Sequence, residues 1–200
     1  MHPETPFRWT FLAIMVLTAV TAGRFRIRAH RAGGSVSRRG EGRFLLVSIR
    51  LAAVVLWVAA LVYLIAPDQI RWASLGLRAS LRWSGLPLAL IGAGLIYWAL
   101  SHLGHNLTDT VAVRASATLI TDGPYRWVRH PFYTACLLLF GGVVLITANW
   151  FIGLMSLLIF SLLVVRTHRE EAELIRHFGQ AYLDYMARTG RFWPRLRQGA

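Results

Sequence analysis

The stretch FLLVSIRLAAVVLWVAALVYLIA, residues 44–66, decides the fold class of this chain. It contains one charged residue, Arg50, close to its first turns, where a long side chain reaches the membrane interface. A hydrocarbon core about 30 Å thick is crossed by roughly 20 apolar residues of α-helix. The stretch is therefore predicted to be a transmembrane helix.

Further uncharged runs on either side of this stretch are predicted to be spans by the same rule; they are residues 9–23, 85–101, 131–148 and 150–165. In the run 85–101, Gly92 and Gly94 would allow a neighbouring helix to approach closely. Asn149 separates the last two runs and predicts a tight helical hairpin. A cleaved signal peptide is the alternative for the first run, but its positive charges follow the apolar residues instead of preceding them. We therefore predict an all-α integral membrane protein with about five transmembrane helices.

The composition excludes several other classes of protein. The 200 residues carry 22 basic side chains, all arginine, against 9 acidic ones, a net charge of +13, yet 56% of the chain is hydrophobic. That hydrophobic content excludes a disordered chain, and the long apolar runs argue against a basic nucleic-acid binder. Cys136 is the single cysteine, so an internal disulfide is excluded.

The arginines predict the orientation of the chain in the membrane, because basic residues close to the spans favour the cytosolic side. Seven arginines lie in the loop 24–43, and ten more lie in the region 102–130 and the tail from 166 onward. We expect the N-terminus outside, and the C-terminus and these two polar segments in the cytosol.

The informative polar residues lie in two segments, 101–133 and 166–194. In the first, Arg129 and His130 precede Pro131, and a helix that begins there offers unpaired backbone amides to a ligand. A metal site on His102, His105 and Asp109 is not favoured, because neither an HExxH pattern nor a cysteine pair accompanies them. Gly-rich phosphate-binding motifs are also missing from the sequence.

The second segment has acidic residues directly after the last predicted span. Arg166 and Glu170 are four residues apart, so they share one face of a helix. Glu171 and Glu173 fit either a site or a solvated helix start, where carboxylates are favoured by the helix dipole. Beyond them, apolar and aromatic residues at helical spacing predict an amphipathic helix with a packing role; they are Leu174, Ile175, Phe178, Tyr182 and Tyr185.

The sequence LITDGPYRWVRHPFY, residues 119–133, followed by a helical hairpin and then REEAELIRHFGQAYLDYMARTGRFWP, residues 169–194, resembles the isoprenylcysteine carboxyl methyltransferase family. The wider group includes phospholipid methyltransferases, and the resemblance covers about residues 101–194. It implies an S-adenosylmethionine-dependent membrane methyltransferase, whose pocket faces the cytosol and is closed by the C-terminal segment. The methyl acceptor would be lipophilic, and the family's carboxylate acceptor is the leading expectation.

The resemblance also implies the site residues. Arg166 matches the family's substrate-side arginine. Arg129 is the second residue expected to be catalytic, on the basis of its place at the Gly- and Pro-bounded turn before Pro131. The implied cofactor contacts are Thr110, Ala117, Thr118, Leu119, Ile120, Tyr125, His130, Pro131, Phe132, Tyr133 and Glu170. The family often has histidine where this chain has Ala117, so only a backbone contact is expected there.

The predicted organisation is a membrane region over residues 1–100 with three spans, and a catalytic region over 101–200. The latter divides into a cofactor loop 101–130, a hairpin 131–165 and a tail 166–200. Three alternatives stay open at this point: a phospholipid or small-thiol methyltransferase, a nicotinamide-dependent membrane reductase related to the sterol reductases, and a non-enzymatic scaffold whose arginines bind anionic lipids.

Overall fold

The computed structural model describes residues 4–33, 42–107, 113–114 and 116–195. These residues form seven α-helices: α1 Thr5–Gly33, α2 Arg43–Ile65, α3 Ala79–Trp83, α4 Gly85–Leu103, α5 Pro131–Thr147, α6 Trp150–Phe178 and α7 Gln180–Arg188. Short 3-10 helices occupy Pro67–Ala73, Gly104–Asn106 and Gly123–Arg126. Extended pairing in this part of the chain is limited to isolated bridges, Ser74 with Asn149 and Val128 with Gly190. The predicted all-α fold is confirmed.

The structure corrects the lengths of the predicted spans. Helices long and apolar enough to cross a membrane cover Thr5–Arg31, Phe44–Ile65, Ala79–Leu103 and Trp150–Phe178. The predicted span at 131–148 is the shorter apolar helix α5, with 17 residues. At about 1.5 Å rise per residue, α5 falls short of a core about 30 Å thick. These helices support a multi-pass integral membrane protein, in which α5 is packed among longer neighbours.

Helices α4 and α5 pack closely because glycine removes side chains from both surfaces. A Cβ atom added at Gly92 would lie 2.5 Å from the backbone nitrogen of Leu139, and one at Gly142 would lie 2.5 Å from that of Ala89. The prediction of close approach is therefore right for Gly92. It is wrong for Gly94, where an added Cβ would meet open space.

One end of the helix bundle is joined by the buried guanidinium of Arg82. It donates to both carboxylate oxygens of Glu4 at 2.6 and 2.7 Å, to the carbonyl of Ile146 at 3.1 and 2.9 Å, and to the Tyr63 hydroxyl at 3.2 Å. Its Cζ atom also lies 3.6 Å from the ring centroid of Phe7. One side chain thus connects α1, α2, α3 and the C-terminal end of α5.

The predicted hairpin between α5 and α6 is present, but α6 continues much further than expected. Asn149 caps α6, because its side-chain oxygen accepts from the amide of Ile152 at 3.0 Å. The helix then runs without a break to Phe178, where Gly179 adopts a φ of 56° and ends it. The predicted boundary between 165 and 166 therefore lies inside α6, and the predicted amphipathic helix is the end of α6 followed by α7.

Candidate active site

A cavity of about 520 Å³ lies at the opposite end of the bundle from Arg82, where α4 ends and α5 begins. Its walls come from α1, α4, α5, α6, α7 and the loop between α4 and α5. The structure brings together at this cavity the residues that the sequence proposed for the site: Ala117, Thr118, Leu119, Ile120, Tyr125, Arg129, His130, Pro131, Phe132, Tyr133, Arg166 and Glu170. Thr110 lies outside the described residues.

The wall formed by residues 117–120 is held in place by Asn106. The Asn106 amide nitrogen donates to the Thr118 carbonyl at 3.2 Å, and its side-chain oxygen accepts from the Thr118 backbone amide, also at 3.2 Å. These two hydrogen bonds hold the extended segment 117–120 next to the end of α4, in the way that a neighbouring β-strand would. Thr118 therefore contributes to the wall through a fixed backbone.

The 3-10 helix Gly123–Arg126 places Tyr125 against the cavity. Gly123 has a φ of +53°, and a Cβ there would lie 2.2 Å from the ring of His102, so both conformation and space require glycine. The carbonyl of Tyr125 accepts from the Tyr185 hydroxyl at 2.7 Å, which joins this turn to α7. Burial, together with the nearby charge of Glu170, raises the pKa of Tyr125, so its hydroxyl stays protonated at neutral pH.

Helix α6 supplies the charged side chains of one wall. Arg166 and Glu170 both line the cavity from the same face of the helix, as their spacing predicted. Glu170 accepts a hydrogen bond from the Tyr133 hydroxyl at 2.8 Å. A carboxylate with one fixed donor keeps further lone pairs that can accept from a ligand.

Of the two environments that the sequence left open for Glu171, a site or a solvated helix start, the structure does not show the solvated helix start. Glu171 lies inside α6, its side chain is 6% exposed, and it contacts three basic residues. Its Oε1 atom is 3.0 Å from Nε of Arg129 and 3.2 Å from Nε2 of His130, and Oε2 accepts from Arg191. Glu173 is the one that stays near the surface, where it pairs with Arg176 at 2.9 Å.

The C-terminal strap, residues 189–193, lies against the start of α5. Backbone hydrogen bonds join Arg129 to Gly190 at 2.8 Å, His130 to Arg191 at 3.0 Å, and Gly190 to Trp127 at 3.2 Å. The Thr134 hydroxyl donates to the carbonyl of Phe192 at 2.8 Å. Arg129 therefore serves two surfaces, since it lines the cavity while its guanidinium bonds Glu171 and the carbonyls of Met186 and Thr189.

Sequence reasoning missed several residues of this cavity. Tyr182 and Tyr185 received a packing role, yet both also line the cavity, and burial raises the pKa of Tyr185 to about 12. Asn106 had no motif to mark it. Arg26, whose position in the sequence indicates only membrane topology, lines the cavity from α1 together with Ala19, Ala22 and Gly23.

A metal site was the alternative considered for His102, His105 and Asp109. Among the described residues, no group of three or more His, Cys, Asp or Glu side chains is arranged to hold a metal ion. His102 lies against Gly123, and its Nδ1 atom is 3.0 Å from the Trp98 carbonyl. Asp109 and the side chain of His105 lie outside the described residues.

Comparisons with known proteins agree with this arrangement. Residues 85–176 match the isoprenylcysteine carboxyl methyltransferase (ICMT) family. The chain is 32% identical over 125 residues to the protein-S-isoprenylcysteine O-methyltransferase of Rattus norvegicus, covering 61% of this chain and 44% of that protein. It is also 30% identical over 119 residues to the cobalt-zinc-cadmium resistance protein CzcN of Cupriavidus metallidurans, covering 58% of this chain and 55% of that protein.

The fold has a counterpart among solved structures. It is similar to the eukaryotic intramembrane Ras methyltransferase ICMT, with a TM-score of 0.55 and 28% identity, covering 72% of this chain and 51% of that one. The chain spans about half the length of the relatives it matches. The matched region contains α4, α5, most of α6 and most of the cavity wall. The sequence match, the named relatives and the structural match agree, and together they support the assignment of this chain to the isoprenylcysteine carboxyl methyltransferase family.

Proposed function

We propose that the protein is a membrane methyltransferase that moves a methyl group from S-adenosylmethionine to the carboxylate of a lipophilic acceptor. The observation that carries the proposal is the cavity itself, in which Arg166 and Glu170 of α6 face a wall formed by residues 117–120, Tyr125 and the start of α5. Its volume of about 520 Å³ lies within the roughly 300–1,000 Å³ of small-molecule sites. The similarity to this methyltransferase family supports a methyl donor as one of its two ligands.

The residues present fit S-adenosylmethionine. Tyr125, Tyr182 and Tyr185 offer aromatic surface for an adenine ring, and Glu170 offers an acceptor for hydroxyl or amino groups. The backbone of 117–120 is held by Asn106 and can bond polar atoms without a change in shape. When bound, the cofactor supplies a methyl group on a positively charged sulfur, with a neutral thioether as leaving group.

The charges of the cavity favour an anionic acceptor. Arg26, Arg129 and Arg166 line it together with the single acidic side chain Glu170, within the part of the chain that the structure describes. Even with Arg129 paired to Glu171, the lining arginines outnumber the lining carboxylate, and this balance favours an acceptor with a negative charge such as a carboxylate. An arginine such as Arg166 binds a carboxylate through two parallel hydrogen bonds, which orients it as well as holding it.

The chemical step requires little acid or base catalysis from the protein. A carboxylate is already ionised at neutral pH, so the chain need not remove a proton from it. The protein's contribution is to hold both reactants in line and to exclude water, which accounts for a large part of the rate in such reactions. The buried tyrosines that line the cavity contribute to that enclosure. We place the cavity on the cytosolic side of the membrane, with the N-terminus outside, as the arginine distribution predicts.

The test uses the purified chain in detergent with S-adenosylmethionine labelled in its methyl group. The acceptor is a prenylated cysteine with a free α-carboxylate, and the matched control is the same compound as the carboxamide. We expect label in the first compound only, released by mild alkali because methyl esters are hydrolysed there. Label that survives alkali would indicate an amine or thiol acceptor and overturn the carboxylate. Binding of a reduced nicotinamide dinucleotide in place of S-adenosylmethionine would overturn methyl transfer and favour the reductase alternative.

A further inference from the structure

Glu171 is a buried acid behind the cavity wall and is the next residue after Glu170. Successive residues on a helix are about 100° apart, so the two carboxylates point to different sides of α6. Glu170 reaches the cavity and Tyr133, whereas Glu171 points to the place where the start of α5 meets the strap. The Glu171 side chain is 6% exposed, so its carboxylate contacts protein groups and is almost inaccessible to solvent.

The partners of Glu171 belong to parts of the pocket that are distant in sequence. His130 lines the cavity and directly precedes α5, and Arg191 belongs to the strap. The Arg129 guanidinium, which donates to Glu171, also donates to the carbonyls of Met186 and Thr189 at the end of α7. One carboxylate therefore joins the polar wall of the cavity to the strap that lies against it.

The contact with Glu171 also determines which nitrogen of the His130 ring carries a proton. A carboxylate only accepts hydrogen bonds, so Nε2 of His130, 3.2 Å from Oε1, carries a proton. In a neutral ring Nδ1 is then the acceptor. Packing completes the restraint, since the His130 ring lies 5.4 Å from the Tyr133 ring and 5.9 Å from that of Phe192, centroid to centroid.

We propose that Glu171 is a positioning residue of the cofactor pocket: it holds the His130 ring in one orientation and proton arrangement and docks the strap by the same carboxylate. The inference rests on the proposed function. It assigns the adjacent glutamates separate tasks, with Glu170 touching the ligand and Glu171 acting through His130 and the strap. A purely structural ion pair would stabilise the fold without any link to the state of His130.

The first experiment measures binding of S-adenosylhomocysteine by calorimetry to the full chain in detergent. We expect Glu171→Gln to weaken binding at least tenfold, and Glu173→Gln, a surface change on the same helix, to bind like the wild type. Arg191→Gln loosens the strap but keeps the contact between Glu171 and His130, so a smaller loss is expected. In a double-mutant cycle, Glu171→Gln should cost much less when His130→Ala is already present. Independent, additive losses would overturn the proposal.

The second experiment reads the His130 ring without any ligand. In ¹⁵N-histidine-labelled protein, the two ring nitrogens of His130 are assigned by comparison with His130→Ala. We expect one tautomer in the wild type and in Arg191→Gln, and a changed signal in Glu171→Gln and in the shorter but charged Glu171→Asp. Unchanged ring signals in both Glu171 variants would overturn the positioning role. Failure of the wild type to bind S-adenosylhomocysteine would instead contradict the proposed function, while the ring signals still decide whether Glu171 controls His130.

Discussion

Adjacent glutamates in this chain have different surroundings, which only the helix geometry separates. Glu170 is half-buried at the cavity, where the Tyr133 hydroxyl holds it, and Glu171 is buried among Arg129, His130 and Arg191. In sequence the pair is a repeat of one residue type. The effects of mutating Glu170 and Glu171 should therefore differ, because each carboxylate contacts different groups.

Replacing Glu170 with glutamine keeps the shape of the cavity and removes its negative charge. Hydrogen bonds to charged groups contribute about 1.5–3 kcal/mol, so S-adenosylmethionine should bind roughly 10- to 150-fold more weakly. Isothermal calorimetry on the purified protein measures this change. Glu173→Gln is the matched control, and equal affinities in the two variants would show that Glu170 does not contact the cofactor.

At the scale of the elements, α4 and α5 form the pair on which the cavity rests, and glycine sets their distance. Gly92 and Gly142 let backbone atoms of the two helices approach where a Cβ would collide. The start of α5 carries His130 and Tyr133, so a shift of α5 also displaces the polar wall. Packing between these helices is thus directly linked to the geometry of the site.

Alanine at positions 92 and 94 should have opposite effects on stability. Alanine favours a helix over glycine by roughly 1 kcal/mol, and Gly94→Ala should show part of this gain because an added Cβ there meets nothing within 4 Å. Gly92→Ala should lose about 1–3 kcal/mol, because its Cβ meets the backbone of Leu139. Thermal unfolding in detergent compares the two. A gain of stability in Gly92→Ala would contradict the close approach.

Across the whole molecule, the two ends of the bundle differ in what holds them. At one end Arg82 joins four helices through Glu4, Tyr63 and Ile146, and at the other end Glu171 joins α6 to the start of α5 and the strap. These two charged centres are directional contacts, which apolar packing alone does not supply, and they favour one arrangement of the helices.

Removal of Arg82 should destabilise the fold without changing the cavity directly. In Arg82→Met the Glu4 carboxylate and the Ile146 carbonyl lose the hydrogen bonds from the guanidinium. Breaking a buried pair costs roughly 3–5 kcal/mol, and we expect the lower end of that range because Glu4 is partly exposed and also accepts from Tyr63. We expect the Tm to fall by roughly 5–10 °C, measured by thermal unfolding in detergent. Arg78→Met, an exposed change beside the same short helix, should leave the Tm close to that of the wild type. An equal Tm in both variants would remove Arg82 from this role.

The orientation in the membrane can be tested with cysteines in a Cys136→Ser background. Ser80→Cys lies at the Arg82 end and Gln180→Cys at the cavity end, and both positions are exposed. A thiol reagent that does not cross membranes should label Ser80→Cys in intact cells, and Gln180→Cys only after permeabilisation. The reverse pattern would place the cavity outside.

The sequence by itself determined the fold class, the hairpin at Asn149 and most of the residues that line the candidate site. Runs of apolar residues specify membrane helices because hydrocarbon leaves the backbone no other hydrogen-bond partners. The residues around GPYR, RHP and EE formed recognisable patterns because each is local in the chain. They converge on one cavity in the structure, apart from Thr110, which lies outside the described residues.

Only the tertiary structure decided the continuous course of α6, the short α5, the close contact at Gly92 rather than Gly94, and the separate environments of Glu170 and Glu171. It also brought Arg26, Tyr182 and Tyr185 to the cavity. The physical reason is that these features depend on partners far away in the chain. Glu171 can be buried because Arg129, His130 and Arg191 surround its carboxylate, and the spacing of residues along α6 does not indicate these distant partners.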